Sequence, residues 1–518
     1  MIFSSVGHCF RLARAAYVMA REGVFAKVDA ALAPPGAALP LALARLIARR
    51  DATGVASAMA RLGPSYVKLG QFLATRGDII GPAAVLQLEK LQDRMAPFAR
   101  SEAVAQVEAS LGRKLSEIFS EFSEPVAAAS VAQVHRARVA DDGGREVAVK
   151  VIRPGVERRF RRDLGDMYFA ARLAERLSRE ARRLKFVGVV DVLARSVKME
   201  MDFRLEAAAA SEFAENTKVD AHFRVPAIDW DRTTKDVLTL EWVDGAPLSD
   251  RAALEKTGRD LPALGRQVIE TFLSHAVRDG FFHADMHQGN LFLDTAGKLV
   301  AVDFGIMGRL GLKERRFLAE ILFGFITRDY RRVARVHFDA GYVPANHSVE
   351  DFAQAIRAVG EPIHARTADQ ISMARVLTLL FEITGLFDMK TRTELVMLQK
   401  TMVVVEGVAR SLDPKLNMWA TAEPVIGAWI RDNLGPLGKV QDAGRGLAAL
   451  AEAALRLPET VERTQAMADR LEQYAQEGFT LSPASIEAIG KAEARRARWG
   501  NVALWVIAAA AVFAVWRG

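Results

Sequence analysis

The first 120 residues show a spacing of apolar positions that is typical of helices. Leu88 and Leu91, and further along Val107 and Leu111, are separated by three or four residues. Such spacing places apolar side chains on one face of an α-helix, where they can pack against a neighbouring element. We therefore predict that residues 1–120 form a helical N-terminal extension.

Beyond about residue 126 the apolar pattern becomes that of strands. Val131, Val134 and Val139 mark one strand, and residues 147–152 form a second apolar run. The Asp-Gly-Gly triplet at 142–144 lies between them and is typical of a tight turn. We predict two neighbouring antiparallel strands here.

The rest of the chain returns mainly to helical spacing. The predicted elements are, in order, a helical stretch (156–217), a strand (237–243), a helix (262–279) and a hairpin with strands at 291–293 and 299–302. After residue 310 the apolar spacing is again helical.

This order of elements is that of a bilobal protein-kinase-like fold, an α+β and helix-rich architecture with an N-terminal helical extension and a C-terminal transmembrane helix. After the extension we assign a kinase-like N-lobe (121–245), a helical C-lobe (246–440), a helical stalk or linker (441–498) and a transmembrane tail (499–518). Fold alone does not establish function, so the functional prediction depends on the motifs.

The most apolar segment lies at the end of the sequence. Residues 502–516 carry no charged side chain, Trp499 and Trp516 flank them, and four basic residues precede them between 491 and 498. The run approaches the roughly 17 residues that a membrane-spanning helix needs. We predict a single-pass helix, with the kinase-like body cytoplasmic and the protein at a bacterial inner membrane. A buried or oligomer-forming helix is the alternative.

Composition adds a few constraints. The 518-residue chain has a formal net charge of +7 and one cysteine, Cys9. This charge suits phosphate binding, an anionic membrane surface or simple solubility, and a single cysteine excludes an internal disulfide. Arg11, Arg14 and Arg21 interrupt the first apolar stretch, which is therefore not typical of a signal peptide. We predict an amphipathic helix there that either packs on the body or contacts a membrane surface.

Two motifs carry the predicted chemistry. Asp285 and Asn290 have the spacing of the aspartate and asparagine in a kinase catalytic loop, and Asp303 begins an Asp-Phe-Gly triplet. Phosphoryl transfer from ATP needs Mg²⁺ on the phosphates, oxygen ligands for the metal and an acceptor for the proton of the nucleophile. We expect Asp285 to be catalytic, Asn290 and Asp303 to bind Mg²⁺, and ATP to be the nucleotide.

The phosphate-binding region is predicted from a lysine and a run of small residues. Lys150 ends the strand Val-Ala-Val-Lys, where its ammonium group needs a partner. In place of a glycine-rich loop, the sequence has a segment that we expect to bind nucleotide, consisting of Ala127, Ala128, Ala129, Ser130 and Val131. Because alanine carries a Cβ, this loop should be stiffer than a glycine loop. A helix start rich in small residues is the alternative.

Over residues 55–440 the chain resembles the UbiB family of atypical kinase-like proteins, which support coenzyme Q (ubiquinone) biosynthesis. Lys68 and Gln71 match the Lys-x-Gly-Gln motif of that family, and Glu200 and Asp202 match its Glu-x-Asp motif. The alanine-rich segment and the catalytic motifs match as well. The resemblance implies that Lys68 and Gln71 lie over the active site, held by Glu200 and Asp202, where they block docking of a protein substrate.

The resemblance also implies that Glu206 pairs with Lys150, and it implies a function. We expect an atypical kinase-like ATPase that supports or regulates ubiquinone biosynthesis at the membrane, acting on lipid precursors or biosynthetic enzymes. Expected partners are coenzyme Q precursor lipids, those enzymes, the membrane and a second copy in a homodimer, with no nucleic acid. The alternatives are a protein kinase acting on ubiquinone-pathway proteins and a non-catalytic, nucleotide-gated lipid-binding scaffold.

Overall fold

The computed structural model describes residues 2–24, 45–49, 54–74, 88, 95–177, 182, 185–364, 383, 385–389 and 393–434. Contacts divide the chain into the units Met1–Arg431 and Asp432–Gly518. The predicted site residues all lie in the first unit.

Helices form the N-terminal part of the described chain, as predicted. They are α1 (Ile2–Arg21), α2 (Val55–Leu62), α3 (Pro64–Ala74), α4 (Arg100–Leu111) and the short α5 (Leu115–Ile118). The predicted amphipathic helix α1 packs on the body, since Ala15 and Ala20 are buried.

The next elements are β1 (Phe119–Ala128), β2 (Ala132–Val139), β3 (Glu146–Ile152), α6 (Val156–Leu177), α7 (Phe186–Glu200), α8 (Phe203–Asn216), β4 (Phe223–Arg224) and β5 (Val237–Glu241). Four of the strands form an antiparallel sheet in the order β1-β2-β3-β5. The sheet therefore has β2 and β3 in its interior, and α8 lies between β3 and β5 in the chain.

Alternation along β3 explains how the sheet builds both a core and a site. Val147, Val149 and Val151 are fully buried on one face, where they pack with Ala103 and Val107 of α4. Burying each valine contributes roughly 1.5–3 kcal/mol, so this face is fixed in place. Successive side chains of a strand point to opposite faces, and the residues between the valines therefore face away from α4.

The remaining elements are β6 (Gly245–Pro247), α9 (Arg251–Lys256), α10 (Leu261–Ser274), β7 (Phe281–His283), β8 (Leu291–Asp294), β9 (Leu299–Ala301), β10 (Met307–Arg309), α11 (Leu312–Ile326), α12 (Tyr330–Asp339), α13 (Val349–His364), α14 (Thr393–Leu412) and α15 (Met418–Leu434). The predicted hairpin is β8–β9, which belongs to a sheet of order β4-β9-β8-β6. Strands β7 and β10 pair separately. The largest apolar core joins α10, α14 and these strands.

Several predicted boundaries differ from the structure. The extension was predicted to be helical to residue 120, but β1 begins at Phe119 and includes Ala127 and Ala128. In its described residues, the predicted helical stretch 156–217 contains the separate helices α6, α7 and α8, and the Asp202 side chain caps α8 by accepting from the Arg204 amide. Polar residues alternate irregularly in β1, so its strand character depends on pairing with β2 rather than on a clean apolar period.

The predicted membrane-spanning tail lies outside the described residues. In the part of the chain that the structure does describe, no helix combines the length and apolarity that crossing a bilayer requires. The assignment of residues 499–518 as a transmembrane helix therefore stays a prediction, as does the stalk at 441–498.

One close helix contact in the main core leads to a stability prediction. A Cβ added at Gly265 in α10 would lie 2.9 Å from the backbone oxygen of Ala409 in α14. We expect Gly265→Ala to destabilise the fold by about 1–3 kcal/mol, because backbone cannot give way as a flexible side chain can.

Gly407, on the exposed side of α14, is the matched control because a Cβ there would meet nothing within 4 Å. Gly407→Ala should stabilise the helix by about 0.5–1 kcal/mol. Thermal melting midpoints of both variants check this pair. A midpoint for Gly265→Ala at or above that of the wild type would contradict the packing described.

Candidate active site

Lys150 is directed to the site by the alternation of β3. Its neighbours Val149 and Val151 are buried on the opposite face, so the lysine side chain projects towards α8. Its side chain is only 16% exposed, and its ammonium lies 5.5 Å from the ring centroid of Phe203 at the start of α8. A lysine in this position needs carboxylate partners, because burial of an unpaired charge is strongly unfavourable.

Two carboxylates share this one ammonium group. Lys150 Nζ donates to Glu206 Oε1 at 2.8 Å and Oε2 at 3.0 Å. It also donates to Asp303 Oδ1 at 3.0 Å. Glu206 is buried, whereas the side chain of Asp303 is 49% exposed. The predicted pair Lys150–Glu206 is thus present in the structure, and Asp303 completes a cluster whose net charge is −1 when both carboxylates are ionised.

The electrostatics of the cluster follow from this imbalance. Burial lowers the pKa of Lys150, but attraction to Asp303 and Glu206 outweighs burial and raises it overall. Burial raises the pKa of Glu206 to about 7, with Lys150 opposing and Asp303 reinforcing the rise. Burial also acts to raise the pKa of Asp303, yet Lys150 and other cations lower it well below its usual range. Asp303 therefore stays ionised at neutral pH, as a metal ligand must.

The catalytic loop is held by a buried histidine. The amide of Asp285 donates to His283 Nδ1 at 3.1 Å. Nδ1 is therefore the acceptor, and Nε2 carries the proton and donates to the Val302 carbonyl at 3.2 Å. Burial lowers the pKa of His283, which keeps the ring neutral. His283 thus connects the loop that carries Asp285 to the strand end that precedes Asp303.

Asn290 is also oriented by the loop. Its Nδ2 donates to the Asp285 carbonyl at 3.1 Å, which leaves its side-chain oxygen on the other side of the amide. Its own carbonyl accepts from the Val302 amide at 2.9 Å. This bond closes the β8–β9 hairpin and brings the positions of Asn290 and Asp303 to the same end of it.

Asp303 has an unusual backbone conformation. Its φ of 64° lies in the left-handed region, which aspartate tolerates better than most residues. The following Phe304 is buried, and its ring lies 5.9 Å from that of Phe213 in α8. The turn thus sends Phe304 into the core while the Asp303 carboxylate remains partly exposed.

These ligands fit Mg²⁺. A carboxylate oxygen on Asp303 and an amide oxygen on Asn290 are the hard donors that this ion prefers, with substrate phosphates and water completing its shell. Among the described residues there is no cluster of three or more His, Cys, Asp or Glu side chains that would hold a metal by itself. An Mg²⁺ ion at these two donors would need further oxygen ligands, such as nucleotide phosphates and water.

The alanine-rich segment forms a shorter turn than predicted. Ala127 and Ala128 belong to β1, and the Ala129 amide donates to the Ala132 carbonyl at 2.8 Å. Ser130 and Val131 at the turn are buried. The segment joins β1 to β2 as a tight hairpin, and its expected contact with nucleotide stays a prediction.

Arg153 holds this turn from the end of β3. Its Nη2 donates to the Ala129 carbonyl at 3.1 Å, and its amide donates to the Val131 carbonyl at 2.8 Å. The contacts of Arg153 therefore stiffen the turn, in addition to the restriction that its own alanines impose on the backbone.

Helix α3, which carries the Lys-x-Gly-Gln motif, pairs with Glu200, one of the two carboxylates predicted to hold it. Lys68 on α3 forms an ion pair with Glu200 at the end of α7, and its charge helps to lower the pKa of Asp303. Gln71 lies one turn further along α3 and is partly buried. Asp202 forms a bidentate ion pair with Arg204 and caps α8. The sequence grouped Glu200 and Asp202, but the chain turn between α7 and α8 gives them different roles.

Two supporting residues were not predicted. His283 has no role in the prediction from sequence, although a histidine two positions before a catalytic-loop aspartate is a recognisable signal. Thr401 in α14 is fully buried and donates to the Ala284 carbonyl at 2.9 Å. Nothing local in the sequence indicates this contact, because 117 positions separate its partners.

The raised pKa of Glu206 predicts a specific pH dependence. Its folded-state pKa of about 7 exceeds the ordinary 4.5, so the folded protein binds a proton that the unfolded chain does not bind between these values. The free energy of unfolding should therefore rise as pH falls from about 7 towards 4.5, by up to about 1.4 kcal/mol per pH unit. Asp303, with a lowered pKa, contributes no slope in that window.

Urea denaturation at several pH values between about 5 and 8 checks this expectation. Glu206→Gln removes the titrating group, so its stability should change less over this range than that of the wild type. Histidines titrate in both proteins and cancel in the difference. Equal pH slopes for the two proteins would show that Glu206 is already ionised throughout.

Comparisons with known proteins agree with this geometry. The ABC1 atypical kinase-like domain matches residues 90–337, and the UbiB helical domain matches residues 356–417. The probable protein kinase UbiB of Marinobacter nauticus is 42% identical over 409 residues, which cover 78% of this chain and 74% of that protein. The probable protein kinase UbiB of Azotobacter vinelandii is 43% identical over 384 residues, which cover 73% of this chain and 71% of that protein.

A solved complex of Rv3197 with erythromycin from Mycobacterium tuberculosis is 27% identical, with a TM-score of 0.49, and covers 69% of this chain and 90% of that one. The domain matches confirm the predicted kinase-like, helix-rich α+β fold. The extent and identity of the UbiB matches confirm the resemblance noted in the sequence, and this chain belongs to the UbiB family of atypical kinase-like proteins.

Proposed function

We propose that this protein is an atypical kinase-like ATPase that supports or regulates ubiquinone biosynthesis at the membrane. In this proposal it acts on lipid precursors or on enzymes of the pathway. The observation that carries the proposal is the cluster in which Lys150 lies between Glu206 and Asp303. Such a cluster presents one fixed cation for phosphates beside one carboxylate for a metal.

Each residue of the cluster has a role in this proposal. Lys150 would bind phosphate oxygens while Glu206, which is buried, keeps it in position. Asp303 is exposed enough to exchange its bond with Lys150 for a metal. Mg²⁺ would neutralise phosphate charge during transfer, with Asn290 and Asp303 as its protein ligands. Asp285, partly exposed near the start of the loop between β7 and β8, would accept the proton of the attacking hydroxyl or water.

The position of α3, the helix with the Lys-x-Gly-Gln motif, favours a small molecule over a protein as the acceptor of the phosphoryl group. Lys68, with only 11% of its side chain exposed, pairs with Glu200 and acts electrostatically on Asp303. In this proposal α3 occupies the approach to the catalytic loop and restricts the entry of folded proteins. Water or the polar end of a lipid precursor is a better match for a restricted entrance.

Membrane attachment in this proposal depends on residues 499–518. The expected partners remain coenzyme Q precursor lipids and the enzymes that process them, and the apolar tail would also bring two copies together as a homodimer in the bilayer. The basic residues between 491 and 498 support a cytoplasmic body at a bacterial inner membrane.

A second candidate is a protein kinase that acts on ubiquinone-pathway proteins. The name of the relatives, probable protein kinase UbiB, favours it. The two candidates differ in the acceptor of the phosphoryl group and share the same nucleotide site, so acceptor assays separate them.

The metal assignment predicts the effect of Asp303→Asn. Loss of a charged metal ligand should weaken MgATP binding by roughly 3 kcal/mol, or about 100-fold. Glu206 still pairs with Lys150 in this variant, so the fold should persist. Thermal-shift titration with MgATP measures the change, and Asp231→Asn, at an exposed position outside the site, is the control. An undiminished shift in Asp303→Asn would refute the assignment.

The occlusion proposal predicts the effect of Lys68→Ala. Loss of the Lys68–Glu200 pair should loosen α3 and increase access to Asp285, so autophosphorylation should appear or rise at least several-fold. Radiolabel incorporation from ATP is measured for the wild type, Lys68→Ala and the double variant Lys68→Ala/Asp303→Asn. The double variant should incorporate nothing.

The same assay decides between the candidate functions. The wild type should hydrolyse ATP and leave generic peptides unlabelled. Efficient labelling of peptides by the wild type would favour the protein kinase, and an absence of both hydrolysis and labelling would favour a nucleotide-binding scaffold.

A further inference from the structure

One face of α6 carries ionic residues directed at the helices around Lys68. Arg159, Asp163 and Asp166 are spaced by four and three positions and therefore share that face. Asp163 and Asp166 are buried. Both α1 and α3 contact α6, so the N-terminal helices cover the two aspartates of this face, whereas Arg159 lies at its exposed edge.

Arg159 holds the corner between α2 and α3. Its Nη2 donates to the Leu62 carbonyl at 2.9 Å. Gly63 follows with a φ of 103°, and a Cβ there would lie only 2.0 Å from that nitrogen. A glycine is therefore required for the guanidinium to reach the corner, and this contact sets the direction in which α3 leaves α2.

Asp166 holds α1 in a buried ionic cluster. Its carboxylate accepts from Arg11 Nε and Nη2, each at 2.7 Å, and contacts His8 Nδ1 at 2.5 Å. The Asp166 side chain is only 2% exposed, and the His8 ring stacks on Phe169 at 5.3 Å. Removing one member of such a buried cluster leaves its partners uncompensated, so the cluster is a strong point of attachment.

The other end of α1 is attached to α2. Glu22, just after α1, has a side chain that is 4% exposed and pairs with Arg61 at 3.2 Å. Its carbonyl accepts from the Gly54 amide at 3.1 Å, just before α2 begins. Helix α1 therefore connects the face of α6 to both ends of α2.

Tyr66 links this attachment to the nucleotide site. It is buried on α3, and burial together with the charges of Asp163 and Asp166 raises its pKa to about 12. Lys68 lies two residues further along the same helix, where it pairs with Glu200. A shift of α3 against α6 would therefore move both side chains.

We propose that Asp166, through its contacts with Arg11 and His8, is a positioning residue that keeps α1 on α6 and thereby holds Lys68 over the nucleotide site. In this arrangement α1 holds α3 in its occluding position. Dissociation of α1 from α6 would break the ion pair between Lys68 and Glu200. This regulatory role rests on the proposed function, because it acts on the same site.

The first test measures hydrogen exchange in the full-length protein. Arg11→Ala and Asp166→Asn should accelerate exchange of the amides of residues 65–74 at least tenfold. Arg14→Ala, an exposed arginine on the same helix, should leave that exchange unchanged. A peptide from α10 reports whether the fold persists, and Arg11→Lys, which keeps the charge but loses the bidentate contact, should give an intermediate rate. Unchanged exchange over 65–74 in both cluster variants would overturn the proposal.

The second test asks whether the effect passes through Lys68. Dissociation constants for MgATP and MgADP are measured for Arg11→Ala with Lys68 present and in a Lys68→Ala background. Arg11→Ala alone should change the ratio of the two constants at least threefold, in the same direction as Lys68→Ala, and should add nothing in the second background. An equal effect in both backgrounds, or none with Lys68 present, would overturn the proposal. Both readouts need no ATP turnover, so they remain decisive if the proposed ATPase activity is refuted.

Discussion

The ammonium group of Lys150 is the constraint on which the site depends. It lies in a largely buried position, where an unpaired charge would be strongly unfavourable, and it satisfies this demand with Glu206 and Asp303. These three residues come from β3, α8 and the segment after β9, so one cation brings together elements from distant parts of the chain. The second carboxylate leaves an excess negative charge, which suits a site that later receives a divalent metal.

Helix α8 is held in place by further contacts besides the ion pair between Glu206 and Lys150. Phe213 is fully buried among aromatic rings that include Phe304, the residue after Asp303. Glu212, one residue earlier, forms a bidentate ion pair with Arg309 on β10, at 2.6 and 2.5 Å. Helix α8 is therefore attached to the strand that follows Asp303 as well as to β3, and the Lys150–Glu206 pair does not depend on a single contact. In our proposal, the element whose movement regulates the site is α3, which carries Lys68.

Helix α3 is positioned differently from α8, because it is held mainly through α6 and the other N-terminal helices. Its position depends on α6, whose buried carboxylate Asp166 is compensated only when α1 is in place. Arg159 and Gly63 set the corner from which α3 begins. The N-terminal helices are thus a layer with its own ionic attachments, which packs on the part of the chain that carries Lys150 and Glu206.

The sequence alone determined the residues whose spacing is local. Asp285 and Asn290 belong to one loop, and the apolar strands around a short turn predict the hairpin that leads to Asp303, so motif order was enough to select them as candidates. The Lys150–Glu206 pair was expected from the resemblance, and the structure shows it. Strand β1 escaped prediction because its polar residues lack a clean period and its partner strand defines it.

Only the tertiary structure decided which side chains meet across long separations. It assigned Lys68 to Glu200 and gave Asp202 to Arg204 and the cap of α8, because the turn between α7 and α8 sends the two carboxylates in different directions. It also placed Arg11 on Asp166, 155 positions away. Periodicity reports which face of an element is apolar, but the partner of a buried charge depends on how whole elements pack, and no local pattern contains that information.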